Sequence, residues 1–140
     1  TRRNRFSRMK YLYDTNIISN LIRSPDGKVG QRTEMLAVGD LGTSIVVAAE
    51  LRFGYRNRGS KRLEVLIEQV LADFEIAPWA SPADLHYAEI RSILQKQGQP
   101  IGQMDMLIAA HALALDAVVV TDNEREFSRV PGLKVENWLR

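Results

Sequence analysis

Two short runs of strand-forming residues, each closing on an aspartate, constrain this chain more than any other feature. They are Met9-Lys-Tyr-Leu-Tyr-Asp14 near the start and Ala117-Val-Val-Val-Thr-Asp122 near the end. Between them the apolar residues recur at helical intervals. Leu63, Leu66, Ile67, Val70, Leu71 and Phe74 fall at i, i+3, i+4, i+7, i+8 and i+11, one face of a helix. Helices are further predicted from Ile17 to Ile22, from Val29 to Val38 with a stop at Gly39, and from a Ser44 cap through Val47, Ala48, Leu51 and Tyr55. Ser81-Pro82-Ala83-Asp84 has the form of a capping box opening a helix to about Lys96, and Met104 to Leu115 and Glu124 to Phe127 complete the helical set. Short strands remain at Leu41 to Ser44, Glu75 to Pro78 and Lys134 to Trp138. Strands separated by helices cannot pair as hairpins, so the expected architecture is α/β: one domain with a central, mostly parallel sheet and helices on both faces.

The 140 residues suffice for one such domain. The longest apolar runs, Val46 to Ala49 and Ala117 to Val120, fall far short of the roughly 20 residues of a membrane span, so no membrane partner is expected. No cysteine is present, which excludes disulfide frameworks, thiolate metal sites and cysteine nucleophiles, and suits a cytoplasmic protein. The net charge of +2 misleads, because residues 1–8 hold four arginines and no acid. From Met9 onward 15 basic residues face 17 acidic ones, a net −2 that gives no global nucleic-acid footprint. Residues 1–8 read as a leader lacking the apolar core of a secretory signal, and residues 9–140 as the domain.

Four acids stand among apolar neighbours: Asp14, Glu50, Asp105 and Asp122. Carboxylates in such settings need donors or cations, and Asp14 and Asp122 follow strands whose carboxyl ends are where open α/β sheets bind ligands. If they converge, a divalent ion is the natural counter-charge. Oxygen-only ligands and a phosphate-bearing substrate suit magnesium. Spacing alone serves a plainer reading equally well, in which Asp14 and Asp122 cap helices and Glu50 pairs with Arg52 or Arg56.

Four ordered blocks then resemble the PIN-domain ribonucleases, in particular VapC-type toxins of toxin–antitoxin pairs and their FitB-like branch. The blocks are Tyr13-Asp14-Thr15-Asn16, Ala49-Glu50-Leu51-Arg52-Phe53-Gly54, Ile101-Gly102 with Asp105 through Ala112, and Val120-Thr121-Asp122-Asn123 with Phe127 shortly after. The resemblance implies a PIN-like fold and a magnesium-dependent endoribonuclease, with manganese as a substitute. It implies Asp14, Glu50, Asp105 and Asp122 as the catalytic acids, Asp14 and Asp105 holding the metal most directly, and Asn16 and Thr121 supporting Asp14. It implies as partners an RNA substrate, a cognate antitoxin, operator DNA through the antitoxin complex, and a second copy in a homodimer. Gln103-Met104 departs from the usual motif.

Two rival functions use the same residues. A haloacid-dehalogenase-type phosphatase also places an aspartate after its first strand but wants a second one where this chain has Asn16. A catalytically silent partner- and DNA-binding module would have no use for four clustered acids. Arg52, Arg56, Arg58, Lys61 and Arg62 are candidate RNA phosphate contacts, or a solvated helix face. His111 and His86 read as packed residues, and Trp79, Trp138 and Tyr87 as core aromatics before base-stacking platforms.

Overall fold

The structure is a computed structural model and describes residues 9–140; the leader reading of residues 1–8 lies outside the described residues. Five strands form one sheet in the order β3-β2-β1-β4-β5: β1 (Tyr11–Tyr13), β2 (Leu41–Ser44), β3 (Glu75–Ala77), β4 (Val118–Val120) and β5 (Val135–Glu136). Every pairing is parallel, with Tyr11, Leu12 and Tyr13 opposite Val118, Val119 and Val120. Between the strands run α1 (Thr15–Arg23), α2 (Lys28–Glu34), α3 (Ile45–Arg58), α4 (Lys61–Leu71), α5 (Ala83–Lys96), α6 (Gln103–Leu115) and α7 (Glu124–Phe127). The chain moves from β1 to β3 in one direction across the sheet and from β3 to β5 in the other, so right-handed crossovers place helices on both faces. Strands β1 and β4 are neighbours from which the chain departs in opposite directions. Their carboxyl ends therefore open a crevice at the switch point of the sheet.

The core explains why the short strands hold. Met9, Leu12, Val119 and Val120 are fully buried along the two central strands. On one face Tyr13 meets Phe74 and Trp138 edge-on, at centroid distances of 5.3 and 5.5 Å. Trp138 is a core residue, 2% exposed, with the Arg32 guanidinium 4.1 Å from its ring centre. The Tyr13 hydroxyl meets Thr33 Oγ1 at 2.6 Å, tying α2 to β1, and burial pushes the phenol's pKa up to about 12. Thr43 Oγ1 donates to the Tyr13 carbonyl at 2.7 Å, pinning β2 beside the residue that precedes Asp14.

Two sequence expectations need correction. Helix α2 ends at Glu34, not Val38, because the chain must turn through Gly39, at φ 91°, to enter β2. Met35 and Val38, whose apolar character extended the helical pattern, are 84% and 95% exposed. The capping box at Ser81 is not formed either. Helix α5 starts at Ala83 with Pro82 as its cap residue, which leaves Ser81 one position too early, and no side chain caps the helix. By contrast Ser44 caps α3, its hydroxyl accepting from Val46 N at 3.0 Å, and Ser60 caps α4 through Leu63 N at 3.1 Å. Among the described residues no helix is long and apolar enough to cross a membrane.

Candidate active site

The crevice between β1 and β4 is built around Asp14. As the cap residue of α1 it accepts the Thr15 N–H on Oδ1 at 2.8 Å. Its Oδ2 accepts from Thr121 Oγ1 at 2.8 Å and from Asn16 Nδ2 at 3.3 Å. Asn16 in turn accepts the Asp122 N–H on Oδ1 at 2.9 Å, so one amide side chain bridges the ends of both strands. Asp14 is only 4% exposed, and despite three donors burial raises its pKa above the ordinary carboxylate value.

Glu50 reaches the crevice from the second turn of α3. Its Oε1 accepts from Thr15 Oγ1 at 2.9 Å, and burial together with the Asp14 charge raises its pKa. The sequence left a Glu50 pair with Arg52 or Arg56 open. Arg52 instead donates to both oxygens of Glu68 at 3.0 Å, joined by the Tyr55 hydroxyl at 2.8 Å, which clamps α4 to α3.

Asp105 enters from the first turn of α6. Asn123 Nδ2 donates to it at 3.0 Å, yet its pKa is pushed up to about 7, by burial first and then by the charges of Asp14, Glu126 and Glu50. Glu126 is the residue that sequence reasoning passed over. Its Oε1 accepts the Gly102 N–H at 2.9 Å, so it sits at the start of α6 beside Asp105. The available signal was its place on the short helix directly after β4, anchored by the buried Phe127. Asp122 takes a different position. It is exposed, its Oδ1 accepts from Asn137 Nδ2 at 3.2 Å, and it is not among the charges that raise Asp105.

His111 is buried on α6, its Nδ1 2.7 Å from Ser44 Oγ, and burial lowers its pKa so that it stays neutral. It ties the helix of Asp105 to the cap of the helix of Glu50. Trp79 is half-buried and donates its indole N–H to the Leu107 carbonyl at 2.9 Å.

Carboxylates that raise one another's pKa lack positive charge, and a hard divalent cation would supply it. Among the described residues no three His, Cys, Asp or Glu side chains form a ready ligand cage. A hard divalent cation held through one or two carboxylates, with waters completing its shell, needs no such cage. The donor set here, all oxygen, fits it.

The PIN domain matches residues 11–133. The chain belongs to the PIN-domain family. Ribonuclease VapC2 of Rickettsia felis is 34% identical over 132 residues, 93% of this chain and 98% of the relative. The tRNA(fMet)-specific endonuclease VapC of Shigella flexneri is 34% identical over 131 residues, covering 93% and 98% of the two chains. In solved structures, this PIN domain superposes on a chain of Rickettsia felis VapBC2 bound to a DNA fragment from their promoter, with a TM-score of 0.85, 34% identity and 93% and 99% coverage. It also superposes on a chain of FitAcB from Neisseria gonorrhoeae, with a TM-score of 0.79, 29% identity and 91% and 97% coverage. Both VapC-type and Fit-type neighbours anticipated from the four sequence blocks are thus present.

Proposed function

We propose that the chain is a metal-dependent endoribonuclease, the toxin of a VapBC-type pair, hydrolysing RNA phosphodiester bonds at the crevice between β1 and β4. The observation that carries the reading is the meeting there of Asp14, Glu50 and Asp105, from three separate elements, each held by a side-chain donor. Asp14 and Asp105 would hold magnesium, or manganese in its place, and Asp122 completes the acidic set from the rim. Bound there, the cation supplies charge against the scissile phosphate and lowers the pKa of water. Thr121 and Asn16 keep Asp14 aimed at the crevice. Glu50, fixed by Thr15 and with its pKa raised, orients the attacking water and accepts its proton. Glu126, beside Asp105, adds a further negative charge to the site.

Of the basic side chains on α3 and α4, Arg56, Arg58 and Arg62 are exposed and available to RNA phosphates. Arg52 is committed to Glu68, and Lys61 lies 3.7 Å from Glu64, so these two contact phosphate only by exchanging partners. A cognate antitoxin restrains the enzyme in the cytoplasm, and operator DNA is met through that complex. A homodimer accords with Phe53, Val65 and Leu85, which are more than half exposed.

The test is incubation of antitoxin-free protein with a tRNA pool in magnesium, in manganese and in chelator. Cleavage in the first two and none in the third is expected. Cleavage undiminished by chelator overturns the metal-dependent reading.

A further inference from the structure

Helices α1, α3 and α4 enclose a trough of about 290 Å³ that takes in Glu50 of the acidic cluster. Thr15 and Glu50, hydrogen-bonded to one another, close one end. Arg23 on α1 and Arg58 on α3 stand eight positions further along their helices, which is about 12 Å of helical rise. Ile67 of α4 supplies apolar floor between them. Gly54 also lines the trough, and a Cβ there would meet nothing within 4 Å.

A cation in the last turn already suits a helix dipole, and both arginines occupy last turns. The informative point is that two such cations, from different helices, line the same trough as Glu50. Neither has a carboxylate within ion-pair distance among the described residues. Arg52, Arg32 and Arg140, in contrast, are paired with Glu68, Glu136 and Glu124. An unpaired guanidinium with its fork of donors is matched to a phosphate. An RNA strand brought to a cluster of carboxylates is repelled along its flanks, and cations set back from the acids offset that repulsion where it would otherwise weaken binding.

We propose that Arg23 and Arg58 together form a seat for an RNA phosphate flanking the scissile one, so that the strand lies along the trough with its cleaved bond over the acids. The inference rests on the endoribonuclease reading and deepens it. Such a seat sets register without reading a base. It therefore acts on substrate affinity and salt sensitivity while leaving the chemical step alone.

The experiment compares wild type, Arg23→Gln, Arg58→Gln, the double variant and Lys96→Gln as a surface control, all antitoxin-free, cleaving a tRNA pool in magnesium at several salt concentrations. Thermal unfolding confirms that each is folded. For the double variant KM should rise by on the order of tenfold or more with kcat within a few-fold of wild type, and the log–log salt dependence of kcat/KM should flatten by about 0.7, as for the loss of one phosphate contact on a single strand. Lys96→Gln should match wild type. If wild type cleaves and the double variant keeps the same KM and salt slope, the seat is refuted and the nuclease reading stands. If kcat falls together with the unfolding temperature, the arginines are structural and the seat is refuted. If RNA kinetics are unchanged but a co-expressed protein partner no longer copurifies, the trough belongs to a protein. If wild type cleaves nothing with metal present, the nuclease reading itself falls.

Discussion

Thr121 Oγ1 donates to Asp14 Oδ2 at 2.8 Å while accepting the Asn123 N–H at 2.9 Å. The second bond fixes where the hydroxyl proton points. The residue after β4 thereby holds the carboxylate after β1 in one orientation, and Asn123, two residues further on, uses its amide to hold Asp105. Two of the acids are thus aligned by one short loop.

Replacing Thr121 by Val keeps the shape and removes the donor. A hydrogen bond to a charged group contributes about 1.5–3 kcal/mol, so kcat should drop by roughly 10- to 100-fold, with Thr121→Ser restoring most of it. Steady-state cleavage of RNA by the three proteins checks this. Equal activity of Val and Ser variants would show that the hydroxyl does not orient Asp14.

Asp105 makes the metal-free protein sensitive to pH. Its folded pKa, about 7, lies above the ordinary value of 3.8, so between those limits the folded state binds more protons than the unfolded one and stability falls as pH rises. The contribution is fully present below pH 4 and gone above pH 7. Asp105→Asn should therefore unfold at a higher temperature than wild type at pH 7.5, and the difference should shrink toward pH 5. Magnesium should raise the wild-type unfolding temperature at pH 7.5 more than that of the variant. Calorimetry across this range, with and without the cation, measures both effects.

Glu126→Gln removes one of the negative charges acting on Asp105 while keeping an oxygen for the Gly102 N–H. The Asp105 pKa should fall, and the acidic limb of the pH–rate profile should move to lower pH. A limb that stays in place would exclude Glu126 from the electrostatics of the site.

Away from the crevice, Gly30 is required by packing. A Cβ there would lie 1.9 Å from the Pro25 carbonyl oxygen, a backbone atom that cannot swing aside. Gly30→Ala should cost about 1–3 kcal/mol, as overpacking does, while activity per folded molecule stays the same. Denaturant unfolding alongside cleavage assays separates the two.

The sequence showed most of the fold because its signals were local and agreed with one another. The valines before Asp122, the Ser44 cap and the stripe from Leu63 to Phe74 each specify an element without knowledge of the rest. It erred where tertiary demands override local pattern. Met35 and Val38 look like helix faces but lie where the chain must turn, and Ser81 looks like a cap but stands one residue outside its helix. At the site, Asp14 was legible as an acid closing a strand. Glu126 was not, since an acid on a four-residue helix resembles any solvated residue until α6 is brought against it. Asp122 shows the converse: its place directly after β4 suggested convergence, while Asn137 holds its carboxylate at the rim. The trough between α1, α3 and α4 joins residues far apart in the chain, and no single segment announces it.

The central claim is that Asp14 and Asp105, brought together at one crevice, are required for metal-dependent RNA cleavage. The direct measurement is single-turnover cleavage of tRNA in magnesium by wild type, Asp14→Asn and Asp105→Asn, each shown to be folded by circular dichroism. Cleavage by wild type and a loss of at least about a hundredfold in each variant is the predicted result, as expected when charge stabilisation of the transition state is removed. Undiminished cleavage by either folded variant would contradict the account.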